Sequence, residues 1–244
     1  MYFPYLWCRQ EECLAIRDLV GAGVLGPLVM PILKPVNTSN ATISRLTSIA
    51  AGGGRFALIT NSNSGAPPPS SAAVNSHLDG ALAAHAANVF PAFEVRAGTT
   101  AAELTAFAGA FSGRVLCIVH RDHTLTAPDI NAALGASSPN AFHVYLEGGT
   151  PAGLPAAISG IGTVLLRDGF AHRSPNGAYP AVSHFDDLVY QYAGMGLNGF
   201  GDFATVGDRY TPGGGAARHV AFHLTESVSG PTVHCNHFVS TTPA

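Results

Sequence analysis

Along most of this chain, short apolar and β-branched runs stop abruptly at a charged or amide residue. A longer stretch with helical spacing follows each of them. The clearest case is Thr163-Val164-Leu165-Leu166, which runs straight into Arg167-Asp168-Gly169-Phe170. Such a run is the signature of a strand buried on both faces that emerges at a polar site. The same pattern predicts strands at residues 28–36, 56–61, 89–96, 115–120, 142–147 and 163–167. A glycine-rich strand follows at 199–203 and an eighth at 218–224, with 232–239 able to form a hairpin with it. Helical spacing is read at 41–51, 72–87, 99–111, 127–134, 154–159 and 185–192, with Ser39-Asn40 and Thr99-Thr100 as candidate caps.

Strand and helix alternating at this spacing imply right-handed parallel units. Eight such units in 244 residues fit one (β/α)8 TIM-like barrel spanning 1–244, irregular towards its C-terminal end. Residues 1–24 read as an N-terminal capping segment with a helix from Gln10 to Val20, and 231–244 as a C-terminal strand and tail. An open α/β sheet is the alternative. The first strand–helix turn lacks a Gly-x-Gly-x-x-Gly, which disfavours dinucleotide binding.

Composition narrows the partners. Charged residues make up 11% of the chain against 47% hydrophobic, and the net charge is −3, so neither nucleic acid nor an anionic membrane is indicated. No apolar run reaches the roughly 20 residues of a bilayer span. The early acids Glu11, Glu12 and Asp18 do not fit a signal peptide. Cys8, Cys13, Cys117 and Cys235 show no metal-ligand spacing, and the plain expectation is a reduced, cytoplasmic protein without metal or cofactor. A homo-oligomer is left open.

In such a barrel, chemistry gathers at the C-terminal strand ends. In order these are Lys34, Asn61, Glu94 with Arg96, His120 with Arg121 and Asp122, Glu147, Arg167 with Asp168, Asp202 and His223. Lys34, the sole lysine, suits either a Schiff-base nucleophile or an ion pair with a rim acid such as Glu147 or Asp168. His120 and His123 invite an acid–base or metal reading, but no local spacing fixes a metal site. His234 and His237 read as ordinary satisfied histidines. Gly148-Gly149 and Gly213-Gly214-Gly215 read as flexible turns, whereas the glycines of 199–202 would let a ligand approach the backbone closely. Neighbouring residues on a strand point to opposite faces, so Arg167 and Asp168 cannot both face one pocket. Arg167 is assigned to the pocket and Asp168 to structure.

Several segments resemble a family of uncharacterised bacterial proteins named after a Sorangium locus (the sce-type proteins), distantly related to the beta-family proteins. They are Met1-Tyr2-Phe3-Pro4-Tyr5-Leu6, Pro31-Ile32-Leu33-Lys34-Pro35-Val36, Arg167-Asp168-Gly169-Phe170, Tyr179-Pro180, Gly199-Phe200-Gly201-Asp202-Phe203, His223-Leu224-Thr225 and His237-Phe238-Val239. The chain looks like a divergent member. Lys34 stands where the family pattern has an acid, Asn61-Ser62 where it has Asn-Pro, Ala178 where it has Asp, and Trp7-Cys8-Arg9 where it has Arg-Gly-Lys. The resemblance carries no established reaction. An acid replaced by a base implies that any family chemistry using that acid is lost here.

Two functions are therefore expected in competition. The first is a non-catalytic or degenerate barrel that binds a peptide or other anionic flexible ligand at the rim, as an accessory to a pathway enzyme. Lys34, Asn61, Arg121, Arg167 and Asp202 would supply polar contacts, and Phe170, Tyr179 and Phe200 apolar ones. The second is a lyase, isomerase or hydrolase. It would use Asp168 or Glu147 as base and His120 or His223 as acid, or a Lys34 Schiff base.

Overall fold

Aromatic residues at positions 3, 5 and 7 alternate with smaller or polar ones around Pro4, which is strand rather than cap patterning. In the computed structural model, which describes residues 1–150, 153–211, 219–227 and 230–241, this segment belongs to the barrel. The opening segment forms β1 (Tyr5–Leu6), and Gln10–Gly21 is the first barrel helix, α1. Residues 1–24 are thus the first βα unit and not a cap. The count of strands shifts by one as a result.

The other barrel strands are β2 (Ile32–Leu33), β3 (Phe56–Ile59), β4 (Val89–Val95), β5 (Leu116–His120), β6 (Ala141–Leu146), β7 (Gly162–Arg167) and β9 (Gly199–Asp202). All neighbours pair in parallel, in the order β1-β2-β3-β4-β5-β6-β7-β9. A parallel bridge between Tyr2 and Phe200 joins the last strand to the first. The fold is a (β/α)8 TIM-like barrel.

Gly199 and Gly201 make that seam possible. A Cβ on Gly201 would lie 2.3 Å from the Phe3 carbonyl oxygen, and one on Gly199 would lie 2.6 Å from the Phe3 ring. The close approach these glycines allow is that of β1 and not of a ligand.

Helices α2 (Asn40–Ala51), α3 (Ser71–Asp79), α4 (Ala101–Ala110) and α5 (Ala127–Leu134) pack outside. Each begins where a hydroxyl accepts an orphan backbone N–H: Ser39 from Thr42, Ser70 from Ala73, Thr100 from Glu103 and Thr126 from Asp129. Two apolar layers result. Phe3, Tyr5, Trp7, Ile32, Ile59, Ala92, Val119, Val144 and Leu166 fill the barrel lumen. Their strand neighbours Leu33, Leu58, Val95 and Ile118 pack with Leu46, Ile49, Leu104 and Ile130 of the helices. Strand parity therefore decides which polar side chains face the lumen.

The C-terminal part departs from the pattern. Of the segment read as helix at 185–192, only the turn Leu188–Gln191 is helical, and its first residues end a strand, β8 (Val182–Asp186). The expected eighth barrel strand is β10 (Ala221–Ser227), which instead forms the antiparallel hairpin with β11 (Val233–Val239). β8 pairs with β11, giving a separate three-stranded sheet of order β10-β11-β8. It meets the outside of the barrel at a small cleft lined by Tyr2, Phe185, Asp186, Phe200, Asp202 and Val233. The Gly213-Gly214-Gly215 turn lies outside the described residues. Among those residues no helix is long and apolar enough to cross a membrane.

Candidate functional site

Lys34 follows Ile32 by two residues, Glu94 follows Ala92, and Arg121 follows Val119, so all three inherit the lumen-facing parity. They meet at the C-terminal mouth of the barrel. Glu94 has no solvent exposure and accepts hydrogen bonds from Tyr5 Oη at 2.6 Å and Lys34 Nζ at 2.6 Å. Arg121 Nη1 and Arg96 Nη1 each lie 3.4 Å from one of its oxygens. Arg121 also pairs with Asp208, from the loop after β9, and its guanidinium stands over the rings of Tyr5 and Phe203. Lys34 Nζ lies 5.5 Å from the centre of the Trp7 ring.

Burial works against a charge on Glu94, but Lys34 and Arg121, with the Lys34 and Tyr5 hydrogen bonds, outweigh it and hold the carboxyl below its ordinary range. Burial pulls Lys34 down, partly offset by Glu94. Burial likewise works against Arg121, yet the Asp208 and Glu94 carboxylates raise it. Lys34 is thus the ion-pair lysine of the two readings, with Glu94 as its acid in place of Glu147 or Asp168. Its amine is buried and engaged, which is poor geometry for a Schiff base. Asp168 shares the lumen parity of Leu166 and accepts hydrogen bonds from the backbone of Phe170 and Asp208, tying the 203–208 loop over the mouth.

Asn61 clamps the same strand end. Its amide donates to the Glu94 carbonyl at 2.8 Å and accepts from the Glu94 N–H at 2.9 Å. Arg96 Nη1 donates to the Asn61 carbonyl at 2.8 Å. Beside them opens a cleft of about 580 Å³ between the rim of β3 and β4 and the first turns of α3 and α4. Thr60, Ser62, Ser70, Ser71 and Thr99 line it with hydroxyls, Phe93 and Phe107 with apolar surface, and Arg96 with the cation. Asn75 Oδ1, in the same wall, is buried and has no hydrogen-bond partner among the described residues.

Arg167 and Asp168 trade the roles expected of them. Arg167 shares the outward parity of Leu165, and Glu147 grips its Nε and Nη2 at 2.7 and 2.8 Å. Asp186 accepts from its Nη1 at 2.8 Å, with Asp187 at 3.3 Å. The Glu147 hydrogen bond is the largest cause of its raised pKa. Arg167 therefore fastens β8 to the outside of the barrel. Phe200 and Asp202 lie on that outer seam too: Phe200 stacks between Tyr2 and Tyr192, and Asp202 accepts from Tyr2 Oη at 2.9 Å.

His120 also points outward, into the helix layer. Its Nε2 lies 2.9 Å from His143 Nδ1 and its Nδ1 3.2 Å from His123 Nε2. Burial, followed by the neighbouring histidines, drives His120 well below its ordinary pKa, and burial pushes His143 down to about 4. Phe170 and Tyr179, from the connection between β7 and β8, pack against the small sheet around His223 and His237. His223, Cys235 and His237 bring ligand-type atoms within 4.8 Å of one another. Among the described residues Asp168 and Glu147 bond to Phe170, Asp208 and Arg167, whereas His120 and His223 bond to other histidines.

Tyr5, Trp7 and Asp208 were missing from the expected site. The alternation at 3, 5 and 7 could have revealed the first two. Nothing near Asp208 in the sequence announces a loop that returns over the lumen. Comparison with family models, curated proteins and solved structures gives no match.

Proposed function

We propose that this protein is a non-catalytic barrel that binds an anionic, flexible ligand, such as a peptide carboxylate, at its strand-end rim. The observation that carries this is the contrast at the mouth. Lys34 and Arg121 are engaged by Glu94 and by one oxygen of Asp208 on the barrel axis, while Arg96 beside them lines a cleft of about 580 Å³. A cleft of that size falls in the range of small-molecule sites. Arg96 rests its Nη1 on Asn61 and Glu94, which pre-orients the guanidinium toward an incoming carboxylate. Asn75 Oδ1, the acceptor without a partner in the cleft wall, suits an amide N–H. The anchor thus moves from Lys34, Arg121 and Arg167, which are tied up in closer ion pairs, to Arg96, whose contact with Glu94 is longer, at 3.4 Å, and which lines the cleft.

Calorimetric titration with an N-acetylated dipeptide and with its C-terminal amide tests the reading. The free carboxylate should bind about 10-fold or more tighter, since a hydrogen bond to a charged group contributes roughly 1.5–3 kcal/mol. Arg96→Gln should abolish that preference. Equal binding of both peptides, or none, would overturn the carboxylate site. Steady turnover of an ester, amide or phosphate-monoester probe that Asp168→Asn abolishes would overturn the non-catalytic part.

A further inference from the structure

The small sheet poses a problem of its own. Among the described residues only Phe170, Phe185 and Cys235 form its buried apolar cluster, with Tyr179 and Val233 packed alongside. Three short strands with so little core are marginal without a staple. The register of the hairpin supplies a candidate. His223 sits directly opposite His237, and Cys235 opposite Thr225, so Cys235 and His237 share a face of β11 and meet His223 across the ladder.

The two imidazoles present the same nitrogen to each other: His223 Nδ1 and His237 Nδ1 are 2.8 Å apart. Cys235 Sγ lies 3.9 Å from His237 Nδ1. A tetrahedral zinc ion, with Zn–N of about 2.0–2.1 Å and Zn–S of about 2.3 Å, needs an N···N edge of about 3.3 Å and an N···S edge of about 3.5 Å. The two edges at His237 need to change by only about 0.5 Å or less, and the third, between His223 and Cys235 and within 4.8 Å, closes by up to about 1.3 Å through side-chain rotation. The surroundings are set for it. Ser183 Oγ lies 2.8 Å from His237 Nε2, so that nitrogen can hold the proton and leave the Nδ1 lone pair facing inward. Tyr179 stacks on His237 with centroids 4.8 Å apart, and Phe170 meets the His223 ring at 4.9 Å, which fixes both rings.

We infer that His223 Nδ1, His237 Nδ1 and Cys235 Sγ form a site for a zinc-type divalent cation that staples β10 to β11. Thiolate with imidazole is the donor set such ions prefer, and the fourth position falls to water. On binding, the Cys235 thiol gives up its proton to solvent. His223 transfers its own from Nδ1 to Nε2, so one proton leaves per metal ion. The site is remote from the Arg96 cleft and does not depend on the function proposed there.

Cobalt(II) titration of the full chain, freed of metal by chelation, provides the test. One equivalent should produce a thiolate-to-cobalt charge-transfer band and tetrahedral visible bands, with one proton released per ion. Cys235→Ser should lose the charge-transfer band, and Ser183→Ala should weaken binding about 10- to 100-fold. His234→Ala, adjacent on β11 but on its opposite face, should bind like the parent. Cys8 and Cys13, whose sulfurs lie 3.3 Å apart, are the other thiol pair, and the Cys8→Ser/Cys13→Ser variant should keep the band. A parent without the band would overturn the site, as would a band that survives in Cys235→Ser or disappears in Cys8→Ser/Cys13→Ser. If Cys235→Ser proves poorly folded, zinc-induced thermal stabilisation of the parent and of His223→Asn decides instead. Equal stabilisation of the two would reject the assignment.

Discussion

Two ion-pair clusters of this barrel are near mirror images. Inside the lumen one acid, Glu94, is surrounded by Lys34, Arg96 and Arg121. Outside, one base, Arg167, is surrounded by Glu147, Asp186 and Asp187. They differ in water. The Glu94 side chain has no exposure, whereas Arg167 keeps 23% and its partner Glu147 keeps 45%. A wet cluster can lose a partner and let solvent take its place. A dry one cannot: without Glu94 the Lys34 ammonium, 4% exposed, sits unpaired in a low dielectric. The inner cluster is thus a fixed plug of the lumen, and the outer one a fastening for a strand that does not belong to the barrel.

The largest effect should come from removing the inner acid. Glu94→Gln leaves Lys34 buried without its counter-charge and should cost about 3–5 kcal/mol in urea denaturation. Glu94→Gln/Lys34→Met should recover a substantial part, since no orphan ammonium remains. A single variant as stable as the parent would erase the distinction between the clusters.

Acid titration sharpens the same contrast by adding a third case, buried groups with no counter-charge. His143 is pushed from 6.5 to about 4 by burial. Its folded value lies below its unfolded one, so the unfolded chain binds the extra proton between these pH values and stability falls as pH drops from 6.5 towards 4. A shift of this size corresponds to about 3 kcal/mol. His120 moves in the same direction. Glu94, with its folded pKa depressed, stabilises above its ordinary value of 4.5, and that stabilisation is lost as pH falls through the lower folded value. Stability measured across pH 7 to 3 should therefore fall in two stages. His143→Gln should flatten the first stage and leave the second. An unchanged slope between pH 6.5 and 4 in that variant would show that these histidines are not its source.

The barrel was legible because its signal is local. Runs such as Val89–Val95 and Leu116–His120 are apolar on both faces, and each is followed by a capped helix. Parity along those strands also marks Glu94 and Arg121 as lumen-facing once the register is known. The site was less legible for two reasons. Reading the strands one unit late turned β1 into a cap and hid Tyr5 and Trp7, which complete the Glu94 cluster. Assigning faces by chemistry gave Arg167 to the pocket, whereas alternation from Leu166 gives the lumen to Asp168. The C-terminal sheet was least visible, because antiparallel pairing of β8 with β11 joins segments about 50 residues apart and no local spacing encodes it.

The smallest effect should belong to Arg167. Each of its partners retains access to water or to other donors. Asp186, the most buried of them, also accepts from the backbone N–H groups of Asp187 and Leu188 at 2.7 and 2.9 Å. Arg167→Met should therefore cost only about 1 kcal/mol globally, and less at high salt. Its consequence should be local instead: the guanidinium is the cross-link between β7 and the end of β8, so amide exchange should accelerate in β8 and β11 while β4 and β5 keep the protection of the parent. Hydrogen exchange read strand by strand distinguishes this from general loosening. Uniform acceleration across the barrel would mean that the outer cluster supports the fold as deeply as the inner one. Exchange confined to the small sheet would place the boundary between a rigid barrel and its appended sheet at Arg167.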